Sequence, residues 1–422
     1  MTQRDEFGRN VASSPREGRR TRLETAVCWL ILIGFPATLT SPGATVAMGL
    51  VALYGLAMLV RDGGLDADLR RVHRYMLGCY LLVLCVDLLN GGGLTNLFTT
   101  GVNYLPLLAL TPYAHALRRL DLSPRLYERA ILGTLLLAVA IPAIRIVVFG
   151  EYRPGGLNLA PIGYGFVASL WTVCAFSLAL EQRQSAIVCY AATVAGFAAV
   201  LFTQSKIGIS CAVAGCVVVA ALWARERGRW RDLGLGLAGG GVVLSAAGYY
   251  SVYPRFAALW YELHHYLETG SIIRESFGAR FEQISDGWRA FLERPILGNG
   301  FAERMEAVAR HAGKMDVTAL TYLHNDYFTH LVSFGIFGLL FLLAYFVLTF
   351  LLVRSSADPA WRRAGMALVL MLLLYAGADV VFNMDPITGA VTIALGMTLA
   401  ARPAPESSKM HTGIDGKSTK ST

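Results

Sequence analysis

The sequence predicts an all-α integral membrane protein of about twelve transmembrane helices. Both termini are expected in the cytoplasm, with one large helical extracytoplasmic loop before the last three spans. Three observations carry this prediction. Of the 422 residues, 55% are hydrophobic and only 16% charged, and the mean hydropathy is +0.50. A soluble chain carries about 25% charged residues because its surface must be wetted. Reading between charges gives twelve apolar stretches, each near the roughly 20 residues that a spanning helix needs. Finally, with the N-terminus placed inside, 26 of the 37 lysines and arginines fall in inner segments, which is the positive-inside distribution.

In chain order, residues 1–23 form a cytoplasmic segment that precedes an uncleaved first span. Spans one to nine cover 24–41, 43–60, 75–90, 97–117, 127–149, 161–180, 184–204, 207–224 and 233–252. The first two are separated only by Ser41-Pro42-Gly43, a short turn without charge. Residues 253–325 form the outer loop, spans ten to twelve cover 327–353, 364–382 and 386–401, and 402–422 is a Ser/Thr/Lys/Gly-rich tail expected to be disordered. This composition excludes a soluble nucleotide-binding enzyme, and the net charge of +8 reflects topology rather than a nucleic-acid footprint. The seven cysteines all lie in apolar stretches without a C-x-x-C pair, which leaves them as small packing residues rather than redox or zinc ligands.

Two motifs resemble chemistry without its context. Gly234-x-Gly236-x-x-Gly239 fits a dinucleotide fingerprint but sits inside an apolar span with no strand before it. Close helix packing through Gly236 and Gly240 is the expected use. Asp66-x-Asp68 stands in a short inner loop beside Arg70 and Arg71 and reads as a solvated loop. There is no P-loop, H-E-x-x-H or G-x-S-x-G, so neither nucleotide hydrolysis nor zinc or triad hydrolysis is indicated.

Counting at about 1.5 Å per residue from the inner charges places Asp87 about 20 Å deep, Arg145 and Asp379 about 24 Å and Lys206 about 34 Å. With a hydrocarbon core of about 30 Å, these four ionisable residues share its outer third. Charges at that depth face a cavity or each other, and an Arg145–Asp379 ion pair is the simplest structural alternative to a functional site. The outer loop contains one patterned helix: Phe277, Phe281, Ile284, Trp288 and Phe291 form an apolar stripe. Glu282, Asp286 and Glu293 stand opposite, with Arg280 at the stripe's edge. Such a helix lies on a membrane surface or caps the bundle. Pro295 ends it and Gly298-Asn299-Gly300 turns the chain. The chain re-enters the membrane at His324-Asn325-Asp326-Tyr327. Asn325 or Asp326 suits an N-cap, and the helix start suits an anion. His324, at that start, is able to exchange a proton near neutral pH.

These features together resemble the O-antigen ligase family, which includes O-antigen polymerases and protein O-oligosaccharyltransferases. The resemblance rests on Arg280 running through Trp288 into Pro295-Ile-Leu-Gly298-Asn-Gly300, on His324-Asn325 opening a span with Gly335 and Gly338, and on many spans with one late loop. It covers roughly residues 276–340; elsewhere only topology matches. One departure is Ser205-Lys206, where the family often has Ser-Arg; lysine keeps the charge without the forked geometry.

The resemblance implies glycosyl transfer on the periplasmic face of a bacterial inner membrane, from a glycan on undecaprenyl diphosphate to a hydroxyl of lipid A–core oligosaccharide, with no metal, nucleotide or other cofactor. In that scheme His324 is the base, and Arg280 and Lys206 face the diphosphate, with Arg145, Arg153 and Arg274 in reserve. Asn325, Asp326 and Asp379 support, Asp379 by orienting His324. A polymerase or a protein oligosaccharyltransferase would use the same donor. A twelve-span transporter or lipid flippase is the rival from another class. Transporters usually show repeated halves and midplane sites, which this sequence does not display.

Overall fold

The computed structural model describes residues 21–91, 93–181, 186–236, 253–269, 277–312, 321–382 and 385–401. The N-terminal segment, the tail, Arg274 and most of the expected ninth span lie outside these residues. The described residues are helical throughout the bundle, without a strand. The helices are α1 (Arg22–Ala37), α2 (Gly43–Arg61), α3 (Ala67–Leu89), α4 (Leu94–Leu120), α5 (Pro124–Phe149), α6 (Pro161–Ala179), α7 (Ala186–Thr203) and α8 (Lys206–Arg227). They continue with α9 (Tyr253–Thr269), α10 (Phe277–Glu293), α11 (Arg304–Ala309), α12 (Asp326–Arg354), α13 (Pro359–Ala376) and α14 (Asp385–Ala400).

Seven of these, α2, α3, α5, α6, α7, α8 and α12, are long and apolar enough to cross a membrane. Helices α1, α4, α13 and α14 occupy further expected spans but are shorter or less apolar. Local chemistry fixes the ends. The Thr21 hydroxyl accepts from Glu24 N–H while Glu24 reaches back to Thr21 N–H, a capping box that starts α1. Asp66, Ser205 and Asp358 cap α3, α8 and α13 in the same sense.

Helix α6 is buried nearly all round and forms the centre of the bundle. It lies against α7, α8 and α13. Small residues permit this: a Cβ on Gly208 would stand 3.0 Å from the backbone of Gly165, and Ser169 donates its hydroxyl to Gly208 O at 2.7 Å. At the arginine-rich end of the bundle, charges meet in pairs. Asp62 pairs with Arg119, Asp66 with Arg118, and the buried Arg363 guanidinium with both Glu181 and Glu226. Asp66 is therefore a helix cap with an arginine partner rather than a loose loop carboxylate. Gly234 and Gly236 meet nothing within 4 Å. The close packing expected at Gly236 is thus not seen among the described residues; Gly239 and Gly240 lie outside them.

The patterned helix α10 buries a different face from the one its stripe suggests. Gln283, Asp286, Gly287 and Ala290 are buried, whereas Phe281 and Trp288 are 39% and 46% exposed. Small size decides this orientation. A Cβ on Gly287 would stand 2.7 Å from Leu323 Cδ1, so the Gly287–Ala290 face packs closely against the entry to α12. Of the stripe, Phe291 packs beside the buried Ala290, Leu323 and Val332, while Phe281 and Trp288 are left for the surroundings.

Helix α12 is broken at Gly335, whose φ of 60° and ψ of −146° are not helical. The Pro295–Gly300 turn fills the break. Asn299 N–H donates to Val332 O at 2.8 Å, Gly300 N–H to Ser333 O at 2.9 Å, and Ile336 N–H to Pro295 O at 2.9 Å. Backbone groups freed by a break inside a membrane need such partners. Asp87, buried near the end of α3, anchors the same turn by accepting from Phe301 N–H at 2.9 Å and from the Thr100 hydroxyl at 2.7 Å.

Candidate functional site

The site lies at the end of the bundle opposite the arginine-rich one, where α13 gives way to the turn Gly377-Ala378-Asp379-Val380-Val381. Side chains from α10 and from the start of α12 grip successive positions of this turn. Asn325 Nδ2 donates to Gly377 O at 3.0 Å, and Arg280 Nη1 donates to Ala378 O at 3.3 Å. His324 Nδ1 faces Asp379 Oδ1 at 3.3 Å, and Asp326 Oδ2 accepts from Val381 N–H at 3.0 Å. Asn325 is also the N-cap of α12, its Oδ1 accepting from Phe328 N–H at 3.2 Å. One short turn thus gathers Arg280, His324, Asn325, Asp326 and Asp379.

His324 has φ +47°, a left-handed conformation uncommon for a residue with a side chain. Such strain costs on the order of 1–3 kcal/mol and persists only where the surroundings impose it. Asp379 is buried and also accepts from its neighbour Val380 N–H at 3.0 Å. Because Asp379 offers only acceptors, the His324 ring hydrogen belongs on Nδ1, which leaves Nε2 as the acceptor. Among the described residues Nε2 has no hydrogen-bond partner, and the side chain is 30% exposed. The 3.3 Å separation is long for a hydrogen bond. Tyr322 stands edge-on to the His324 ring at 4.9 Å. Burial, with the Asp379 charge, pushes its hydroxyl up to about 12, so it remains a proton donor at neutral pH.

Arg280 is half-buried, and among the described residues its hydrogen bond is to the Ala378 carbonyl. Among the described residues no carboxylate lies within ion-pair distance of it. It is thus a cation without a carboxylate partner among the described residues, beside the His324–Asp379 pair. Lys206 opens α8 at the same level of the bundle. Gly165 packs on Ser205, and the ring of the next residue, Phe166, lies tilted 4.3 Å from that of Tyr375, two residues before the turn.

The remaining cations are placed differently. Arg145 pairs with Glu151 at 2.8 Å and donates to Gly156 O, which ties the end of α5 to its following loop. The considered Arg145–Asp379 pair does not form; Asp379 faces His324 instead. Arg153 sits in that same loop, which Gln204 holds through Tyr152 O at 3.1 Å. Among the described residues, no three His, Cys, Asp or Glu side chains group as metal ligands would.

Sequence reasoning did not find Tyr104, whose hydroxyl meets His330 Nε2 at 2.8 Å, nor the structural work of the Gly377 and Ala378 carbonyls. Tyr104 carries no local signal, because its partner is 226 positions away. The Gly377-Ala378-Asp379 sequence at the end of an apolar run was the available cue for the turn.

The sequence matches the family model described as O-antigen ligase over residues 191–343. That segment contains Lys206, Arg280, His324, Asn325, Asp326 and the Gly335 break. A comparison with curated proteins finds no match.

Proposed function

We propose, from the premise that residues 191–343 of this multi-pass membrane protein carry the O-antigen ligase domain, that the chain is a lipopolysaccharide O-antigen ligase. Members of that family are glycosyl-transfer enzymes. In this reading the arginine-rich end is cytoplasmic, as the 26-to-11 split of lysine and arginine supports. The Gly377–Val381 turn then faces the periplasm of a bacterial inner membrane.

The donor is a glycan on undecaprenyl diphosphate and the acceptor a hydroxyl of lipid A–core. His324 Nε2 takes the acceptor's hydroxyl proton as the oxygen attacks the anomeric carbon. The new C–O bond forms as the bond from that carbon to the phosphate oxygen breaks. The electron pair leaves with undecaprenyl diphosphate. Asp379 keeps the His324 hydrogen on Nδ1 and steadies the imidazolium that results. Arg280, and Lys206 as a second point charge, balance the negative charge that grows on the diphosphate. Arg153 and Arg274 are further cations for the donor; Arg145 is spent on Glu151 and Gly156.

The observation that carries this reading is the convergence of His324 and Arg280 on one turn, a base and a cation side by side. Purified protein in proteoliposomes, given lipid-diphosphate-linked glycan and lipid A–core, should join them. His324→Ala should lower the rate by about 10²–10⁴-fold, and His324→Gln nearly as much, since it restores a hydrogen bond but no basicity. Near wild-type transfer by His324→Gln would refute the base. A lipopolysaccharide gel of a deletion strain tests the acceptor. Loss of every capped chain length identifies a ligase, whereas retention of a single repeat would identify a polymerase.

A further inference from the structure

Behind the His324–Asp379 pair lies a chain of buried polar groups that the transfer chemistry does not touch. Tyr104 on α4 and His330 and Asp326 on α12 are 1%, 1% and 0% exposed. We infer that Tyr104 and His330 are positioning residues for the transfer: acting through Asp326, they hold the Gly377–Val381 turn in register and so fix the aim of Asp379 at His324. The inference rests on the reading of His324 as the base.

The contacts run in one direction. The two neighbours of His330 Nδ1 are Asp326 O at 2.8 Å and Asp326 Oδ1 at 3.0 Å. Both are acceptors, so Nδ1 carries the ring hydrogen. Nε2 then accepts from the Tyr104 hydroxyl at 2.8 Å, which has no other partner among the described residues. The hydrogen bond from His330 Nδ1 goes to the Asp326 carbonyl, Asp326 Oδ1 being buried without a hydrogen-bond partner among the described residues, while Oδ2 accepts from Val381 N–H at 3.0 Å. The adjacent Asn325 holds Gly377 O at 3.0 Å. The turn is therefore gripped at both ends by Asn325 and Asp326, the N-cap and first residue of α12, with Asp379 between the grips.

Packing makes this chain stiff. The His330 ring stacks on Phe341 at 5.5 Å, and Tyr104 stacks on Phe382, the residue after Val381, at 5.4 Å. The carbonyl of His330 lies against Gly338, beyond the Gly335 break. A displaced Tyr104 or His330 would thus reach the turn by two routes, one polar and one steric. Stability alone gives little reason for the arrangement, because a buried polar network often holds a fold no better than apolar side chains of equal volume. Its distinctive product is geometry.

Tyr104→Phe removes one hydroxyl and keeps the ring, so it tests the chain without emptying the core. It should lower kcat about 2–10-fold, the equivalent of one net buried hydrogen bond, with KM for both substrates unchanged. His330→Phe should cost more, and His330→Asn, which retains a donor towards Asp326, should recover part of that loss. In an Asp379→Asn background, Tyr104→Phe should cost nothing further. Wild-type kcat in Tyr104→Phe, or the same loss with Asp379 altered, would overturn the inference. So would a loss that follows only the folded fraction, measured by gel filtration and Tm. The ring-nitrogen NMR signals of His324, assigned by their disappearance in His324→Ala, read its environment directly. Tyr104→Phe should shift them, and unshifted signals would overturn the inference. That readout stands even if His324→Ala proves active, an outcome that removes the base role alone.

Discussion

Gly298 and Gly335 close a single joint between two distant parts of the chain. Both have positive φ, +77° and +60°. A Cβ on Gly298 would stand 2.5 Å from Gly335 N, and one on Gly335 would collide with Ile296 O. The turn after α10 and the break in α12 are therefore each shaped to receive the other. Any side chain at either position adds backbone strain of about 1–3 kcal/mol to a clash against backbone that has no room to move. Gly298→Ala and Gly335→Ala should each lower Tm by several degrees and reduce the yield of folded protein. A wild-type Tm for either would show that the two segments are not locked.

Asp87 holds the same joint from α3. Its replacement by Ala leaves Phe301 N–H and the Thr100 hydroxyl without their acceptor in a buried setting, which costs about 1–3 kcal/mol for each group so stranded. Asp87→Asn keeps one acceptor oxygen and should lose less. The order of Tm expected is wild type, Asn, Ala; equal values for all three would remove Asp87 as an anchor.

Much of this architecture is legible in the sequence, for physical reasons that also mark where legibility ends. The apolar runs and their caps announce the helices, since Asn325 or Ser205 before an apolar run leaves few alternatives. His324 and Arg280 announce themselves as charges in an apolar chain. The orientation of α10 does not. Its large apolar residues outweigh Gly287 and Ala290 in any periodicity count, yet the small residues decide which face approaches α12. The partnerships of Tyr104 with His330, and of Asn299 with the Gly335 break, join residues far apart in sequence whose types alone specify no partner. Arg145 illustrates the reverse error: depth alone suggested Asp379, but Glu151, six residues on, is the partner.

Asp286, on the buried face of α10, makes that helix pH-dependent. Burial raises its carboxyl above the ordinary value near 3.8, and the Arg289 charge only partly opposes the shift. A carboxyl with a raised folded-state pKa favours the fold below its unfolded value, and this contribution is lost as pH rises through the folded one. At neutral pH the buried charge is therefore unfavourable. Asp286→Asn should raise Tm at pH 7, with a gain that shrinks as pH approaches 3.8. A lower Tm at pH 7 would contradict this sign.

Arg280 tests the role of a forked cation. In the proposed mechanism its guanidinium meets the donor diphosphate, so Arg280→Lys keeps the charge and loses the two-pronged geometry. Arg280→Ala should therefore slow transfer more than Arg280→Lys, and both should raise the apparent KM for the lipid-linked donor rather than for the acceptor. Lys206→Arg should retain substantial activity. Full activity in Lys206→Ala would remove that lysine from donor binding, and full activity in Arg280→Ala would leave the diphosphate without its nearest cation.

Trp288 tests where α10 lies. The helix buries its small face, so Phe281, Trp288 and Leu292 point outwards. This apolar surface continues through Ile296 to Ile336 and Leu340, exposed residues on the long arm of α12, and Ile336 N–H is bonded to Pro295 O at 2.9 Å. Ile336 precedes Arg354, at the arginine-rich end, by 18 positions, or about 27 Å of helix. In the proposed topology, with hydrocarbon about 30 Å thick, the joint sits just beneath the far boundary of the membrane. In that placement Phe281, Trp288 and Leu292 rest in the lipid interface, where tryptophan is favoured, and Arg280 is held near the depth of lipid phosphates. In proteoliposomes, lipids brominated close to the headgroup should quench the Trp288 fluorescence, read as the difference between wild type and Trp288→Phe. Bromines near the chain ends should quench it less, and aqueous iodide should barely reach it. Efficient iodide quenching with no effect of brominated lipid would lift α10 off the membrane and, with it, Arg280 away from the plane in which a lipid-borne diphosphate travels.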